Sequence, residues 1–302
     1  MFMRKILAVG SSNMDLVIHA DKLPKPGETI ICNNFLRYHG GKGANQAVAA
    51  ARLGGEVSFI TKVGNDDFGN KLASSYVLEG MDCRGVLRSD SATTGVAFIN
   101  VDRKGENSIT VAQGANKNLT VVDLQNLTYL IDECDIVLVQ LEIPMDTVNY
   151  LVRYAGRKMK TIILNPAPAQ LLSDETLSML FALTPNESET ELLTGVHVED
   201  EKSALRAANM LFKKGVKNVI ITMGAKGAYF IDQDEHLLIP APRVNAVDTT
   251  AAGDIFNGAF AVALANRRSI KESIEYACQV SSISVTRHGA QSSAPYQNEI
   301  HD

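Results

Sequence analysis

The sequence predicts an α/β protein with three layers (α/β/α), in which helices cover a mainly parallel sheet and a small β-sheet lid stands apart. Short apolar strands alternate with helices that carry one apolar face, as at Val148, Leu151 and Ala155. That alternation is typical of a parallel sheet covered on both faces. Two other segments, 13–39 and 93–113, contain β-type runs without a helical period. These two observations separate a large domain from a smaller one.

Each strand of the main sheet is predicted from a short apolar run. The six runs are Lys5–Ser11, Val57–Val63, Ile136–Leu141, Thr161–Leu164, Phe181–Leu183 and Val219–Thr222. Polar residues recur where these strands end, and ligands of α/β sheets gather at the carboxyl ends of strands. The polar residues are Asn13, Asp15, Glu142, Asn186, Glu189 and Thr222. Each alone is more often an ordinary loop residue, so their shared placement is the informative part.

The small sheet is predicted from two hairpin-like segments. Leu16–Ile18 and Thr29–Ile31 form the first, and Val96–Ile99 and Ile109–Val111 flank a turn in the second. A single hairpin is marginally stable, so we expect the two segments to join as a lid, a dimer contact or both. The large domain then comprises 1–12, 40–92 and 114–302, and the small one 13–39 and 93–113.

Composition excludes several classes of protein. The 302 residues carry a net charge of -5 with a pI near 5.7, and they contain no basic block, which argues against nucleic-acid binding. Four widely spaced cysteines indicate a reducing compartment rather than disulfides or a zinc site. No run approaches the ~18 apolar residues of a membrane span. We therefore expect a cytoplasmic protein without a membrane or nucleic-acid partner.

The glycine-rich loop at residues 40–43 opens an alanine-rich helix, and two phosphate-binding motifs were tested against it. A P-loop requires Ser or Thr after the lysine, but Gly43 follows Lys42. The dinucleotide fingerprint requires a third glycine where Gln46 stands. Both motifs fail, which leaves a flexible hinge beside Lys42 and Asn45, whose side chains can donate hydrogen bonds to a polyol.

The stretch Asp248–Asp254 precedes a long apolar run that predicts a buried helix. Ala251, Ala252 and Gly253 are small enough to let a ligand approach the backbone. A helix N-terminus favours anions, because it carries unpaired N–H groups and a partial positive charge. Asp254 could instead be only a helix cap, for which aspartate is a preferred residue. The crowd of small residues favours a ligand site.

Four segments together resemble the ribokinase-like family of sugar kinases, also called the phosphofructokinase-B type. They are Gly40–Ala47, Asn165–Pro168, Thr184–Glu189 and Asp248–Asp254. The resemblance covers the whole chain. It implies ATP-dependent phosphorylation of D-ribose at the 5-hydroxyl, or of 2-deoxyribose or another sugar. It also implies a homodimer that forms through the lid.

The resemblance also implies the role of individual residues in the transfer. Asp254 would be the catalytic base, and the amides of Ala252 and Gly253 would hold the charge of the transferred phosphoryl group. The sugar would bind at Asn13, Met14, Asp15, Gly41, Lys42, Gly43, Ala44, Asn45, Glu142 and Asp254. These positions correspond to the glycine-rich loop, to two of the predicted strand ends and to the start of the predicted buried helix.

Nucleotide and metal positions follow from the same resemblance. ATP would lie against Asn186, Thr222, Met223, Gly224, Ala225, Lys226, Gly227, Gly253, Asp254 and Cys278. Glu189 would organise Mg²⁺ through water. A monovalent cation, K⁺, would be held by Asp248, Thr250, Ser284, Arg287, Gly289 and Ser293, several of them through main-chain carbonyls.

Two other classes of function were weighed. A sugar-binding regulator without catalysis is disfavoured by the presence of both Asp254 and Glu189, which such a protein does not need. A dehydrogenase is disfavoured by the failed dinucleotide fingerprint.

Overall fold

The structure is a computed structural model that describes residues 3–32 and 35–300. Residues 33 and 34 of the predicted lid segment, and two residues at each chain end, lie outside the described residues. The strands are β1 (Ile6–Val9), β2 (Asn13–His19), β3 (Phe35–Gly40), β4 (Val57–Gly64), β5 (Asp82–Ser89), β6 (Gly95–Val101), β7 (Asn107–Ala112), β8 (Ile136–Val139), β9 (Thr161–Leu164), β10 (Ala182–Leu183), β11 (Asn218–Thr222), β12 (Ala228–Ile231) and β13 (His236–Ile239).

The helices connect these strands on both sides of the main sheet. They are α1 (Lys42–Arg52), α2 (Asp67–Leu78), α3 (Val121–Asn126), α4 (Thr128–Glu133), α5 (Met145–Arg157), α6 (Asp174–Ser178), α7 (Glu187–Thr194), α8 (Glu201–Lys213), α9 (Ala252–Ala265) and α10 (Ile270–Ser284). Short 3-10 helices lie at Gly114–Asn118, Gly224–Lys226, Gln291–Ser293 and Gln297–Glu299.

Within the described residues, the main sheet has nine strands in the order β13-β12-β11-β10-β9-β8-β1-β4-β5. The seven strands from β11 to β5 pair in parallel, and β12 and β13 add an antiparallel edge. From β1 the chain proceeds to β4 and β5 on one side, and from β8 to β9, β10 and β11 on the other. The order of strands therefore reverses between β1 and β8.

Side chains of β1 show why the sheet is covered on both faces. Ile6 and Ala8 pack into one apolar cluster with α1, α9 and α10, whereas Leu7 and Val9 pack into a second cluster with α5 and α8. All four side chains are fully buried. Because alternate residues of a strand point to opposite faces, a continuous apolar run is needed to fill both layers.

The second sheet has four strands in the order β3-β2-β6-β7. Its central pair, β2 and β6, is parallel, and both flanking pairs are antiparallel. β6 and β7 form the predicted hairpin. The prediction of a strand at Thr29–Ile31 is wrong: that stretch is irregular, and the strand that pairs with β2 begins at Phe35. The β-branched residues Thr29, Ile30 and Ile31 favour a strand locally, but among the described residues no strand pairs with them.

Candidate active site

The reversal of strand order sets the place of the site. Residues 10–13 leave the carboxyl end of β1, and residues 140–142 leave the adjacent carboxyl end of β8, where Val9 pairs with Val139. In open α/β sheets, ligands bind in the crevice at such a point of reversal. Asn13, Asp15 and Glu142, predicted separately from strand ends, come together there.

Asp254 lies in the first turn of α9 and is buried, with 5% of its surface exposed. Its Oδ2 accepts a hydrogen bond of 2.9 Å from Asn45 Nδ2, and its Oδ1 accepts one of 3.0 Å from Gln46 Nε2. Both donors come from α1. No side chain caps α9, which begins at Ala252 rather than after Asp254. The interpretation of Asp254 as a helix cap is therefore wrong, because its carboxylate accepts hydrogen bonds from side chains of α1 and does not cap α9.

The residues just before Asp254 form an uncapped helix start. Ala251 has a left-handed backbone with φ of 60°, and the Ala252 amide donates to the Thr249 carbonyl at 3.2 Å. The next amides of the first turn, those of Gly253 and Asp254, have no acceptor within an α-helix. Gly253 is exposed, and a Cβ built on it would meet no atom within 4 Å. Open space thus adjoins the helix terminus.

Electrostatics at Asp254 combine two opposing effects. Burial raises the pKa of its carboxyl group above the usual range, and Lys42 together with the Asn45 and Gln46 hydrogen bonds pulls that pKa back down. Asp254 in turn is the largest cause of the raised pKa of Lys42. The nearby Lys42 favours the ionised form of this buried carboxylate, and the ionised form is the one that can accept a proton.

The strand β2 carries Asn13 and Asp15 into the crevice. Asn13 is buried, and its Oδ1 accepts a hydrogen bond of 2.7 Å from Asn116 Nδ2. Burial, with help from the nearby Glu142 and Asp254 carboxylates, raises the pKa of Asp15 to about 7. Such a carboxyl group has few partners within the protein and is suited to bonding a hydroxyl group of a ligand.

Glu142 ties the end of β8 to the start of α1. Its Oε2 accepts hydrogen bonds from Ser11 Oγ at 2.5 Å and from the Lys42 amide at 3.0 Å. The acidic side chain thereby satisfies a free amide at a helix N-terminus. Ser11 was not singled out from the sequence.

Two glycines of the loop are required by close packing. Gly41 has φ of 89°, and a Cβ there would lie 2.8 Å from the Asn13 amide nitrogen. A Cβ on Gly43 would lie 2.5 Å from the Gly10 carbonyl carbon. Ala44 and Met14 are also buried in the core, at 0% and 2% exposure, so a sugar contact from them would come from the main chain.

Asn186 and Glu189 form a capping box at the start of α7. Glu189 Oε2 accepts from the Asn186 amide at 2.9 Å, and Asn186 Oδ1 accepts from the Glu189 amide at 2.8 Å. Burial is the main reason that the pKa of Glu189 is raised, and the nearby Lys42 opposes it. The pair therefore has a structural role whether or not it also organises Mg²⁺.

The predicted nucleotide residues lie along the end of β11 and on α10. Thr222 forms an isolated bridge with Asn186, and the 3-10 helix at 224–226 is exposed. Met223 and Cys278 are buried, and burial raises the pKa of the Cys278 thiol to about 12. Cys278 is therefore an inert packing residue, and it packs in the same apolar cluster as α1 and α9.

The residues predicted to hold a monovalent cation come from two stretches of the chain, 248–250 and 284–293, which Asp248 joins. Asp248 Oδ1 accepts from the Thr250 amide and Oδ2 from the Gly289 amide, each at 2.9 Å. Three of the other side chains have partners of their own. Ser284 and Ser293 donate to the main-chain carbonyls of Ser281 and Ala290, and Arg287 pairs with Glu299 at 2.7 Å. This leaves main-chain carbonyls as the available ligands.

Four polar residues of the site were assigned no role from the sequence. Gln140 and Asn165 lie at the ends of β8 and β9, Gln46 on α1, and Asn116 in a 3-10 helix. Asn165 and Gln46 entered the sequence analysis only as members of segments that resemble the family, and Gln46 also as the missing third glycine of the dinucleotide fingerprint. Their placement after apolar strands was the available signal for Gln140 and Asn165.

Two searches of the described part of the chain gave negative results. No group of three or more His, Cys, Asp or Glu side chains there could hold a metal ion. No helix in those same residues has both the length and the apolar character that crossing a bilayer requires.

Comparison with known proteins identifies the family of this chain and the fold that it shares. The model of the pfkB family carbohydrate kinases matches residues 3–297. A ribokinase of Haemophilus influenzae is 45% identical over 98% of this chain and 97% of its own. A deoxyribokinase of Salmonella typhi is 37% identical over 96% and 95%. The structure of Arabidopsis thaliana ribokinase complexed with ribose and ATP has a TM-score of 0.92 and 31% identity, covering 98% of this chain and 97% of that one.

The fold and the site thus define a carbohydrate kinase, and the chain belongs to the pfkB family. This confirms the predicted family, the α/β fold with a separate smaller sheet, and the prediction of a kinase enzyme.

Proposed function

We propose that the protein transfers the γ-phosphoryl group of ATP to the 5-hydroxyl of D-ribose. The observation that carries this proposal is the buried Asp254 carboxylate, pinned by Asn45 and Gln46 at the open start of α9. Relatives that match nearly the whole chain are ribokinases, and one solved relative is described in complex with ribose and ATP.

In this proposal Asp254 takes the proton from the sugar hydroxyl as that oxygen attacks phosphorus. General-base assistance is worth ~10²–10⁴-fold in rate. The Gly253 amide, with that of Ala252 once its bond to Thr249 opens, would face the charge on the phosphoryl group. A pre-aimed donor of this kind is worth ~3 kcal/mol. Phosphoryl transfer depends mainly on such positioning and charge stabilisation.

The sugar would lie between β2 and the start of α1. Asp15 and Glu142 offer carboxylate acceptors, Lys42 offers a donor, and Asn45 Oδ1 is buried without a hydrogen-bond partner among the described residues. An unpaired buried acceptor is costly, so a ligand hydroxyl that donates to it would be stabilised. Asn13, Gly41, Gly43, Ala44 and Met14 would complete the walls.

ATP and Mg²⁺ would occupy the side of the crevice formed by Thr222 to Gly227. The open space at Gly253 and the exposed Gly224, beside which a Cβ would meet nothing within 4 Å, leave room for the phosphates and the nucleoside. Glu189 supplies a buried carboxylate, which suits a hard cation that keeps several water ligands. Bound there, Mg²⁺ would neutralise charge on the phosphates.

A monovalent cation, K⁺, would bind between the loops that Asp248 joins. The fit rests on the Asp248 bonds to the Thr250 and Gly289 amides, which hold both loops together, and on the carbonyls available from Ser284 to Ser293. Oxygen ligands of this kind suit a hard cation. Its charge would add to that of the adjacent helix terminus.

We also propose that the small sheet, in the boundaries predicted above, is both a lid and a dimer contact. The strand register places Leu36, Ile109 and Val111 on the same face as Asp15. Their exposed fractions are 42%, 55% and 46%. A second copy that covers this apolar face would also shield the sugar from water.

The dimer can be tested by light scattering on Ile109→Glu. We expect wild type to have twice the chain mass and the variant to be monomeric. Val122→Glu is the matched control, because Val122 is 61% exposed on the large domain and should not change the mass. A monomeric wild type would contradict this part of the proposal.

A second candidate substrate is 2-deoxyribose, favoured by the 37% identity to a deoxyribokinase. The proposed function is tested by measuring kcat/KM with MgATP and K⁺ for ribose, 2-deoxyribose and fructose. A site that bonds the 2-hydroxyl can reject the deoxy analogue by ~10⁴-fold or more. Absence of ribose turnover would overturn the proposal. That the reaction takes place in the cytoplasm stays a prediction.

A further inference from the structure

Behind Asp254 lies a chain of three buried side-chain amides, formed by Gln140, Gln46 and Asn165. Gln46 Oε1 accepts a hydrogen bond from Gln140 Nε2 at 2.5 Å. Gln46 Nε2 donates to Asn165 Oδ1 at 3.2 Å and to Asp254 Oδ1 at 3.0 Å. Gln46 and Gln140 are 0% exposed and Asn165 is 6% exposed. The three amides meet from α1 and from the ends of β8 and β9.

The direction of every hydrogen bond in this chain is forced. Asn165 Nδ2 donates to the Thr184 main-chain carbonyl at 2.9 Å, and a carbonyl can only accept. Asn165 must therefore turn its Oδ1 towards Gln46. Gln46 must then present its N–H groups to both Asn165 and Asp254, and its oxygen to Gln140.

Gln140, the last of the three amides, shows that this direction of hydrogen bonding is unfavourable for one of its own atoms. Gln140 Oε1 is buried and has no hydrogen-bond partner among the described residues. It packs against Gly10, where an added Cβ would lie 2.1 Å from it. Leaving a buried acceptor unpaired is unfavourable. Turning the amide over would bring Gln140 Oε1 against Gln46 Oε1, which is worse, because two acceptors would then face each other.

We propose that Gln46 is a positioning residue that holds the plane of the Asp254 carboxylate by a hydrogen bond whose direction Gln140 and Asn165 impose. Asn45 holds the other oxygen, so both oxygens of the carboxylate are fixed by side chains of α1. This inference rests on the proposed function. The charged groups that also act on Asp254 are Lys42, Glu142, Asp15 and Glu189.

The test is a pH profile of kcat for Gln46→Met, which keeps the length of the side chain and removes the amide. We expect kcat at neutral pH to fall by about 10- to 100-fold, because a charge-assisted hydrogen bond to the base is lost. The acidic limb of the profile should move to higher pH, because the carboxylate loses a donor that favours its ionised form. The sugar KM should change by less than about threefold, because Asp254 is the one proposed sugar-site residue among the hydrogen-bond partners of Gln46.

A second variant, Gln140→Met, guards against a folding failure of the first. It does not touch Asp254, yet it removes the donor that orients Gln46. We expect the same displacement of the acidic limb, but smaller.

Asn218→Leu is the matched control. Asn218 is also a buried amide that donates to a main-chain carbonyl, that of Phe181, but it lies at the opposite end of the sheet. It should lower the melting temperature and leave the pH profile unchanged.

The outcomes separate this inference from the proposed function. Turnover of the sugar panel by wild type tests the function, whereas ratios of variant to wild type on whichever sugar is phosphorylated test the role of Gln46. An acidic limb that moves in both glutamine variants and not in Asn218→Leu supports the inference. Unmoved limbs, or a loss of kcat equal to that of Asn218→Leu, would overturn it.

Discussion

The two ends of the central sheet treat their carboxylates differently. At the amino end, Asp82 pairs with Arg84 at 2.7 Å, and Arg84 also contacts Glu133. The hydrogen bonds from Arg84 lower the pKa of Asp82. At the carboxyl end, burial raises the pKa of Asp15, Asp254 and Glu189. Acids are thus paired with a cation at one end and buried close to one another at the other end.

The difference shows where the fold gives up stability for chemistry. Burying several carboxylates around one lysine is unfavourable unless a ligand later supplies partners. The amino end has no such requirement and carries exposed ion pairs, which contribute little. The four predictions below test this contrast, from the largest expected effect to the smallest.

Asp254→Asn should lower kcat by ~10²–10⁴-fold, because the proton acceptor is lost. The fold should survive, since Asn45 can turn its unpaired Oδ1 towards the new amide. Because the pKa of Asp254 is raised on folding, removing its charge should not lower the melting temperature at pH 7. Steady-state kinetics and thermal unfolding check both statements. Near-normal turnover would remove Asp254 from the role of base.

Gly253→Ala should reduce kcat about 100-fold without a loss of stability. The new methyl group would enter the open space beside the helix terminus and displace the phosphoryl group, and a misplacement of 1 Å can cost that much. Gly43→Ala is the contrasting variant, since its methyl group would clash with the Gly10 backbone and lower the melting temperature. Unchanged kinetics for Gly253→Ala would show that no ligand occupies this space.

Asp15→Asn should stabilise the sugar-free protein increasingly as pH rises. The pKa of Asp15 is raised from 3.8 to about 7, so the native state of wild type holds an extra proton in that window and loses stability as pH rises through it. The gain should level off above pH 7, at no more than about 4 kcal/mol. Denaturant unfolding at pH 5 and pH 8 measures it. The sugar KM should rise, because a charged acceptor is lost.

The exposed Asp21 provides the control for this prediction, since Asp21→Asn changes the same formal charge on the surface. An equal gain in both variants would mean that net charge, and not burial at the sugar site, sets the pH dependence.

Arg84→Gln should have the smallest effect of the four. Its ion pairs with Asp82 and Glu133 are half-exposed, so the melting temperature should fall only slightly and kcat should stay at the wild-type value. Differential scanning calorimetry and the standard assay suffice. A marked loss of activity would contradict the separation of the two ends of the sheet.

The sequence predicted the fold class, and it predicted that several polar side chains would lie at one edge of the main sheet. Thr161–Leu164 was predicted with its observed bounds, because a buried parallel strand is a short continuous apolar run. The strand predicted at Thr29–Ile31 was wrong, and β5 was not predicted, because its polar residues lack a clear alternation. A strand forms where a partner strand is available, and that is decided by residues distant in sequence.

The polar residues of the site also form two groups, those that could be placed from the sequence and those that could not. Asn13, Asp15 and Glu142 could be placed because they follow strands directly. Gln46 could not be recognised, since its partners lie 94 to 208 positions away and no local spacing indicates them. The roles of the predicted site residues stay predictions until the variants are measured.

The meeting of Gln46 with Asp254 also bears on biosynthesis. The two residues are separated by 208 positions, so residues 13–142 of the proposed sugar site are synthesised long before the helix that carries Asp254, the proposed base, emerges from the ribosome. Kinase activity should therefore arise only in nearly completed chains.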